Sequence, residues 1–412
     1  MNGWPTIDSG TTVSRRRFLR QVGVGAIGLA AAACGAAPPS SSPTRSPAIS
    51  PSAIPTPTPS PTPGVEPDLE TKIAQMLLVG FRGLTATPED PIIRDIAELG
   101  LGGVLLFDRD QPTGASVRNI ESPDQLRTLG ADLQSAAEAG PAGLPLLIAI
   151  DQEGGQVARL RPEHGFPATQ SAAALAARGD PLHTAEAASA IAATLADAGI
   201  TLNLAPVVDL DLNPASPIIG ALDRSFGADP ELVAEHAMAF VDGHRRHGVR
   251  TALKHFPGHG SAAGDTHAGI VDVTDAWSEV ELEPFERLIA SGHADAVVTA
   301  HVFNATLDPD DPATLSRATI TGILRQQLAF DGPVISDDLQ MGAIRDAYGY
   351  PEAVALAIEA GVDVLTIANQ QVFEADIVRR TIDVVAGHVA SGRIGEERIE
   401  EAYRRIRRFK GS

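Results

Sequence analysis

The chain of 412 residues contains a single cysteine, which excludes an internal disulfide and leaves no thiol cluster for zinc or iron–sulfur ligation. Aromatic residues are also scarce, at 4% with 2 Trp and 3 Tyr, so no row of rings is available to stack along an extended ligand. Positive charge is short: 32 Lys plus Arg face 52 Asp plus Glu, a formal charge of −20. Such a surface repels nucleic acid phosphates and anionic lipid headgroups, and no segregated basic patch interrupts it in the body of the chain. The mildly apolar run from Val22 to Ala33 is too short to cross a bilayer. What the chain does have is 43% hydrophobic residues, enough for a substantial core.

The N-terminal stretch reads as an address label. Ser14, Arg15, Arg16, Arg17, Phe18, Leu19 and Arg20 reproduce the twin-arginine export pattern ahead of the Val22 to Ala33 run. Ala31, Ala32, Ala33 and Cys34 then resemble a lipoprotein signal-peptidase box, with Ala31 standing where Leu or Val is usual. Cys34 is therefore the expected lipidation point; the alternative is a small apolar residue within the signal. From Pro38 to Pro67 the chain is rich in Pro, Ser and Thr, a composition that cannot bury apolar surface and favours polyproline II. Extended at about 3.1 Å per residue, such a spacer reaches on the order of 90 Å. The expected organisation is a signal peptide over 1–33, a disordered linker over 34–67 and a folded domain over 68–412, exported and tethered to the cell membrane through its lipid alone.

Within the folded part, eight short β-rich apolar runs alternate with helical patterns. The runs are Gln75 to Phe81, Gly102 to Phe107, Leu144 to Asp151, Thr201 to Asp209, Thr251 to His255, Ala296 to His301, Pro333 to Asp337 and Asp363 to Ile367. Their continuous rather than alternating apolarity predicts strands buried on both faces, hence a parallel sheet. The stretches between them, such as SAAALAARGDPLHTAEAASAIAATLADAGI, carry apolar residues at three- and four-residue spacing and end at Gly. Eight repeats of strand and helix predict an α/β fold, a single (β/α)₈ barrel of the TIM type; an open doubly wound sheet is the alternative.

Barrel enzymes carry their chemistry at the C-terminal ends of the strands. Polar residues fall at those ends here: Asp151, Asp209, Lys254, His255, His301 and Asp337. Three segments stand out. One is KHFPGHG from Lys254 to Gly260, followed after four residues by Asp265-Thr266-His267; the others are Ser336-Asp337-Asp338-Leu339-Gln340-Met341 and Asp151-Gln152-Glu153-Gly154-Gly155-Gln156-Val157-Ala158-Arg159. From Leu69 nearly to the C-terminus, the chain resembles the single-domain β-N-acetylhexosaminidases of glycoside hydrolase family 3.

The residue chemistry agrees with that resemblance. Retaining glycoside hydrolysis needs a carboxylate to attack the anomeric carbon and a second group to protonate the leaving oxygen. Asp337, at the tip of a buried strand, is the candidate nucleophile. Asp338 is expected to turn to the other side of the backbone as a support residue. His267 lies two residues from Asp265 on a Gly-rich loop, where a carboxylate can orient an imidazole and stabilise its protonated form. The resemblance makes His267 the acid/base and Asp265 its orienter. Gly258, Gly260 and Gly264 are expected to let this loop move.

By the same residue-by-residue match, Asp151, Arg159, Arg224, Lys254 and His255 are the expected substrate-binding residues. Arg159 and Arg224 have surface ion pairs as their alternative. His259 and His301 read as loop supports, and Glu153 as a residue behind the reacting groups. After the eighth run only about 40 residues remain, too few for the second α/β domain that carries the Glu acid of the family's β-glucosidases. That favours the His–Asp version and an N-acetylated sugar. The scarcity of Trp and Tyr favours an exo-acting pocket. The resemblance implies no metal and no cofactor, and a carbohydrate with a terminal β-N-acetylglucosamine, from peptidoglycan fragments or chitin-type oligosaccharides, as the partner. Competing readings are a metal-dependent hydrolase using His255, His259, Asp265 and His267, a sugar-binding lipoprotein, and a phosphorylase. Oligomeric state is not legible.

Overall fold

A computed structural model describes residues 66–411. The twin-arginine segment, Cys34 and all but the last two residues of the linker lie outside the described residues.

The eight expected runs each supply a strand: β1 (Leu77–Gly80), β2 (Gly103–Leu105), β3 (Leu147–Ile150), β4 (Leu202–Asn203), β5 (Arg250–Phe256), β6 (Ala296–Thr299), β7 (Val334–Ile335) and β8 (Leu365–Ile367). They form one parallel sheet in the order β8-β1-β2-β3-β4-β5-β6-β7. Parallel pairing of Ile335 with Val364 joins its two edges, making a TIM-type barrel. Leu77, Leu78, Val104, Ile148, Leu202, Ala252, Val297, Ile335 and Leu365 are all buried, which accounts for apolar runs without alternation. Apart from β5, the strands are shorter than the apolar runs, whose ends leave the sheet to build the rim. The fourth run shows this: after Asn203 it loses regular pairing on one side, yet Val208 N–H still donates to the Lys254 carbonyl at 2.8 Å. That contact carries Asp209 to the rim beside β5.

Several of the surrounding helices begin at a small polar residue, which precedes proline in four of them. Asp68 accepts from Thr71 N–H at 2.9 Å, Asp229 from Glu231 N–H at 2.9 Å and Asp180 from Leu182 N–H at 3.0 Å. Pro91, Pro123, Pro181 and Pro230 each occupy the first helical position, where a missing N–H costs nothing. This chemistry divides the long Ala-rich pattern into two helices, Ala172–Ala176 and Pro181–Asp197. The last helix, Glu396–Lys410, has Glu at its start, Arg and Lys at its end, and a buried stripe of Ile399, Ala402, Tyr403, Ile406 and Phe409. Among the described residues no helix is long and apolar enough to cross a membrane.

One addition matters for the site. Val271–Asp272 pairs in parallel with Val302–Phe303, pinning the chain just beyond His267 against the loop after β6.

Candidate active site

A cavity of about 710 Å³ opens at the C-terminal ends of the strands. All eight residues assigned from the sequence to catalysis or sugar binding line it: Asp151, Arg159, Arg224, Lys254, His255, Asp265, His267 and Asp337. They arrive from different strands and are up to 186 residues apart in sequence (Asp151 to Asp337), so the barrel's closure brings them together.

Asp337 follows β7 after Ser336. Its Oδ1 accepts from the Asp338 N–H at 2.8 Å, and its own N–H donates to the Thr299 hydroxyl at 3.4 Å. Burial alone would raise its carboxyl, but the His301, His255 and His267 rings and the Asp338 amide outweigh that and hold it below the usual carboxylate range. Asp338 is no second free carboxylate. Its Oδ1 accepts from the backbone N–H of Gln340 at 3.1 Å and Ala368 at 3.0 Å, tying the rim of β7 to that of β8, and burial pushes it up to about 6. His301 supports the same peptide: its Nε2–H donates to the Asp338 carbonyl at 3.0 Å, while Nδ1 meets the Thr314 hydroxyl at 2.8 Å.

Asp265 and His267, which line the same cavity, form a pair. The His267 Nδ1–H donates to Asp265 Oδ1 at 2.7 Å, and the same oxygen accepts His267 N–H at 2.9 Å, so the ring is held from both sides of its Cα. With Nδ1 occupied, Nε2 is the nitrogen left to exchange a proton. This pair is the exposed part of the site: the His267 side chain is 61% accessible.

The opposite wall is an ionic lattice. Lys254 Nζ donates to Asp151 Oδ1 at 2.7 Å and Glu153 Oε1 at 2.7 Å. Arg224 grips Glu153 with two bonds, Nε at 2.8 Å and Nη2 at 2.7 Å, and Arg159 Nη2 stands 3.5 Å from Asp151 Oδ2. Burial opposes charge on both carboxyls, but Lys254 with Arg159 keeps Asp151 below its usual range, and Arg224 with Lys254 draws Glu153 down to about 2. Three cations therefore face two carboxylates held in their ionised form. A wall of this kind offers charged hydrogen-bond donors toward the cavity, while its carboxylates are engaged by those same cations. Glu153 is the residue that fixes Arg224 and Lys254. Arg159 and Arg224 accordingly sit in the cavity wall and not on the outer surface.

His255 belongs to a second carboxylate pair that the motifs did not single out. Its Nδ1–H donates to the buried Asp209 Oδ2 at 2.7 Å, while Asp209 Oδ1 accepts the N–H of His255 at 3.1 Å and of His259 at 2.9 Å. Asp209 was legible only as a polar strand end; the signal lay in its position after the fourth run. His259 stays buried beside it, with neither ring nitrogen partnered among the described residues, and burial lowers it to about 4. The four residues of the metal reading are thus divided: Asp209 takes His255, Asp265 takes His267, and His259 faces neither. Among the described residues no three His, Cys, Asp or Glu side chains converge as metal ligands would.

The glycines of the catalytic loop answer to packing. Gly258 has φ +116°, and a Cβ there would meet the Glu281 side chain at 2.6 Å; a Cβ on Gly260 would lie 1.7 Å from the Leu210 carbonyl oxygen. The segment from Phe256 to Ala262 is buried, and exposure begins at Ala263.

Comparison with known proteins assigns this architecture. The family model "Glycosyl hydrolase family 3 N terminal domain" matches residues 68–409. The beta-hexosaminidase A of Pseudoalteromonas piscicida is 32% identical over 333 residues, 76% of this chain; the chain spans about half of that relative, 54% of its length. Among solved structures, the family 3 beta-N-acetylglucosaminidase of Paenibacillus sp. str. FPU-7 is 38% identical with a TM-score of 0.76, the match covering 84% of this chain and 62% of that one. The beta-N-acetylhexosaminidase of Beutenbergia cavernae DSM 12333 is 33% identical with a TM-score of 0.73, covering 84% of this chain and 99% of that one. A barrel whose rim carries these segments in this order, matched over nearly all its described length, places the chain in glycosyl hydrolase family 3.

Proposed function

We propose that the chain is a retaining exo-β-N-acetylhexosaminidase that removes terminal β-N-acetylglucosamine, acting on peptidoglycan fragments or chitin-type oligosaccharides. The observation that carries this reading is that an ionised, strand-anchored Asp337 and a His267–Asp265 couple line one cavity. The names of the similar proteins support the sugar. In the first step an Asp337 carboxylate oxygen attacks C1. The bond from C1 to the leaving oxygen breaks, and that oxygen takes the proton of His267 Nε2. In the second, water attacks C1 and gives a proton to Nε2, and the Asp337 ester bond breaks, returning the β configuration. Asp265 stabilises the imidazolium required in each cycle. Asp151, Arg159, Arg224, Lys254 and His255 hold the sugar hydroxyls.

The test is hydrolysis of a chromogenic β-N-acetylglucosaminide. The expected result is release of the β anomer first, independent of added phosphate, with a loss on the order of 10³-fold or more in Asp337→Ala. First release of the α anomer, dependence on phosphate, or full activity of the variant would each overturn the scheme.

The same reading puts the enzyme outside the cytoplasm, exported by the twin-arginine route and held through a lipid on Cys34. The supporting observation is the Arg15 to Cys34 pattern ahead of a Pro-rich spacer. Cys34→Ser is expected to move the protein from the membrane fraction to the soluble one; unchanged sedimentation with membranes would sink the anchor.

A further inference from the structure

The Asp209–His255 contact goes beyond sugar binding as such, because it determines which proton the ring carries. Asp209 is a buried carboxylate and can only accept; it faces Nδ1 of His255 at 2.7 Å. On the other edge of the ring, Arg224 Nη2, which can only donate, stands 3.4 Å from Nε2. Between an acceptor-only and a donor-only neighbour, one neutral form fits: hydrogen on Nδ1 and a lone pair on Nε2. The second Asp209 oxygen accepts the backbone N–H of both His255 and His259, so this one carboxylate also sets the path of the chain that enters the catalytic loop. Asp209 is itself held by its neighbours. Its carbonyl accepts the Ser225 hydroxyl at 2.6 Å, one residue from Arg224, so the ring and the arginine that flank the same lone pair are fixed from a common point.

We infer that Asp209 is a positioning residue for substrate recognition: it locks His255 in the Nδ1–H tautomer, so that the one lone pair on Nε2, which Arg224 Nη2 approaches only at 3.4 Å, accepts from a sugar hydroxyl in place of that long contact. This inference rests on the proposed glycosidase reading for its substrate, but not for the tautomer. The arrangement supplies what the ionic wall lacks. Arg159, Arg224 and Lys254 are donors, and the carboxylates of Asp151 and Glu153 are already engaged by them; an imidazole lone pair is a neutral acceptor at the same wall. Asp209→Asn is the informative change because its shape is conserved. The amide oxygen would be retained by the two backbone N–H groups, turning the NH₂ toward Nδ1. That demands a lone pair on Nδ1 and moves the proton to Nε2, where it opposes Arg224 and offers the sugar a donor in place of an acceptor.

Two measurements decide it. Long-range ¹H–¹⁵N spectra of histidine-labelled enzyme, with His255 assigned by His255→Gln, are expected to show the Nδ1–H form in the wild type and its loss in Asp209→Asn. In kinetics on the chromogenic β-N-acetylglucosaminide, Asp209→Asn is expected to lower kcat/KM by about 10- to 100-fold, mostly through KM. Added to His255→Ala, it should cost little more. A wild-type ring protonated on Nε2, an unchanged tautomer in the variant, or losses that multiply in the double variant would overturn the proposal. If Asp209→Asn does not fold, the wild-type spectrum still decides. A wild type that leaves the glucosaminide uncut defeats the proposed function, and the spectra still judge the tautomer.

Discussion

Glu153 illustrates how far a single residue's role depends on its surroundings. In the sequence it sits two positions from Asp151 and invites reading as a catalytic acid. In the fold its carboxylate is bound by Arg224 and Lys254 and drawn down to about 2, far too acidic to carry a proton to a leaving group at neutral pH. The folded value lies below the ordinary 4.5, so the stability this group contributes is present above that value and is lost as pH falls toward about 2. Glu153→Gln is therefore expected to melt well below wild type at pH 7, with the gap closing as the pH approaches 2.5. Circular dichroism melts at several pH values check this; a gap independent of pH would contradict it. Asp337 and His267 stand out in the sequence as candidates because of their local setting, a strand tip and a carboxylate two residues away, and both line the cavity. Asp209 acts on residues 46 and 50 positions later, and no local pattern marks that.

The loop that carries His267 is packed more closely at its base than its composition suggests. Three glycines imply mobility, yet two of them are required by close contacts, and the base of the loop is anchored by Glu281. This buried carboxyl on the short turn Glu279–Leu282 accepts the Gly260 N–H at 3.0 Å and the Ser261 hydroxyl at 2.6 Å. Burial raises it to about 7, and the nearby Asp209 charge adds to the rise. A carboxyl raised on folding stabilises fully below its unfolded value, about 4.5, and loses that contribution as pH climbs through about 7. Glu281→Gln keeps the hydrogen bonds in neutral form. It is expected to equal wild type in stability near pH 4.5 and to exceed it at pH 8, by on the order of 1 to 3 kcal/mol. Denaturant titrations at the two pH values test this; a variant weaker than wild type at pH 8 would refute it. At the same scale, the alternation of helices with strands was legible from apolar spacing, whereas the two-residue length of β4 was not, since it depends on what β3 and β5 offer as partners.

For the whole molecule, the two ends of the barrel divide the labour. The C-terminal ends hold the candidate site. At the other end of β7 and β8 lies a polar hub without access to the cavity: Asp363, fully buried, accepts from Arg325 at 2.5 Å, Arg398 at 2.8 Å, Arg405 at 3.4 Å and Val334 N–H at 3.0 Å. Arg398 and Arg405 come from the last helix, so this carboxylate fastens that helix beneath the strands it closes. Removing one partner of a buried ionic cluster leaves the others uncompensated, at a cost of about 3 to 5 kcal/mol. Asp363→Ala is expected to lose that much stability while keeping wild-type turnover per folded molecule. Unfolding curves together with active-site titration check both halves, and a selective loss of turnover in folded protein would contradict the division.

Continuous apolar runs separated by helical spacing made the barrel legible in chain order alone, and local motifs marked the candidate site residues. Tertiary structure alone decided the electrostatics. Which carboxyl is bound by cations, which is raised by burial, and which carboxylate meets the His255 ring all depend on residues tens to hundreds of positions apart, since charge acts through space at a few ångströms and takes no account of chain order.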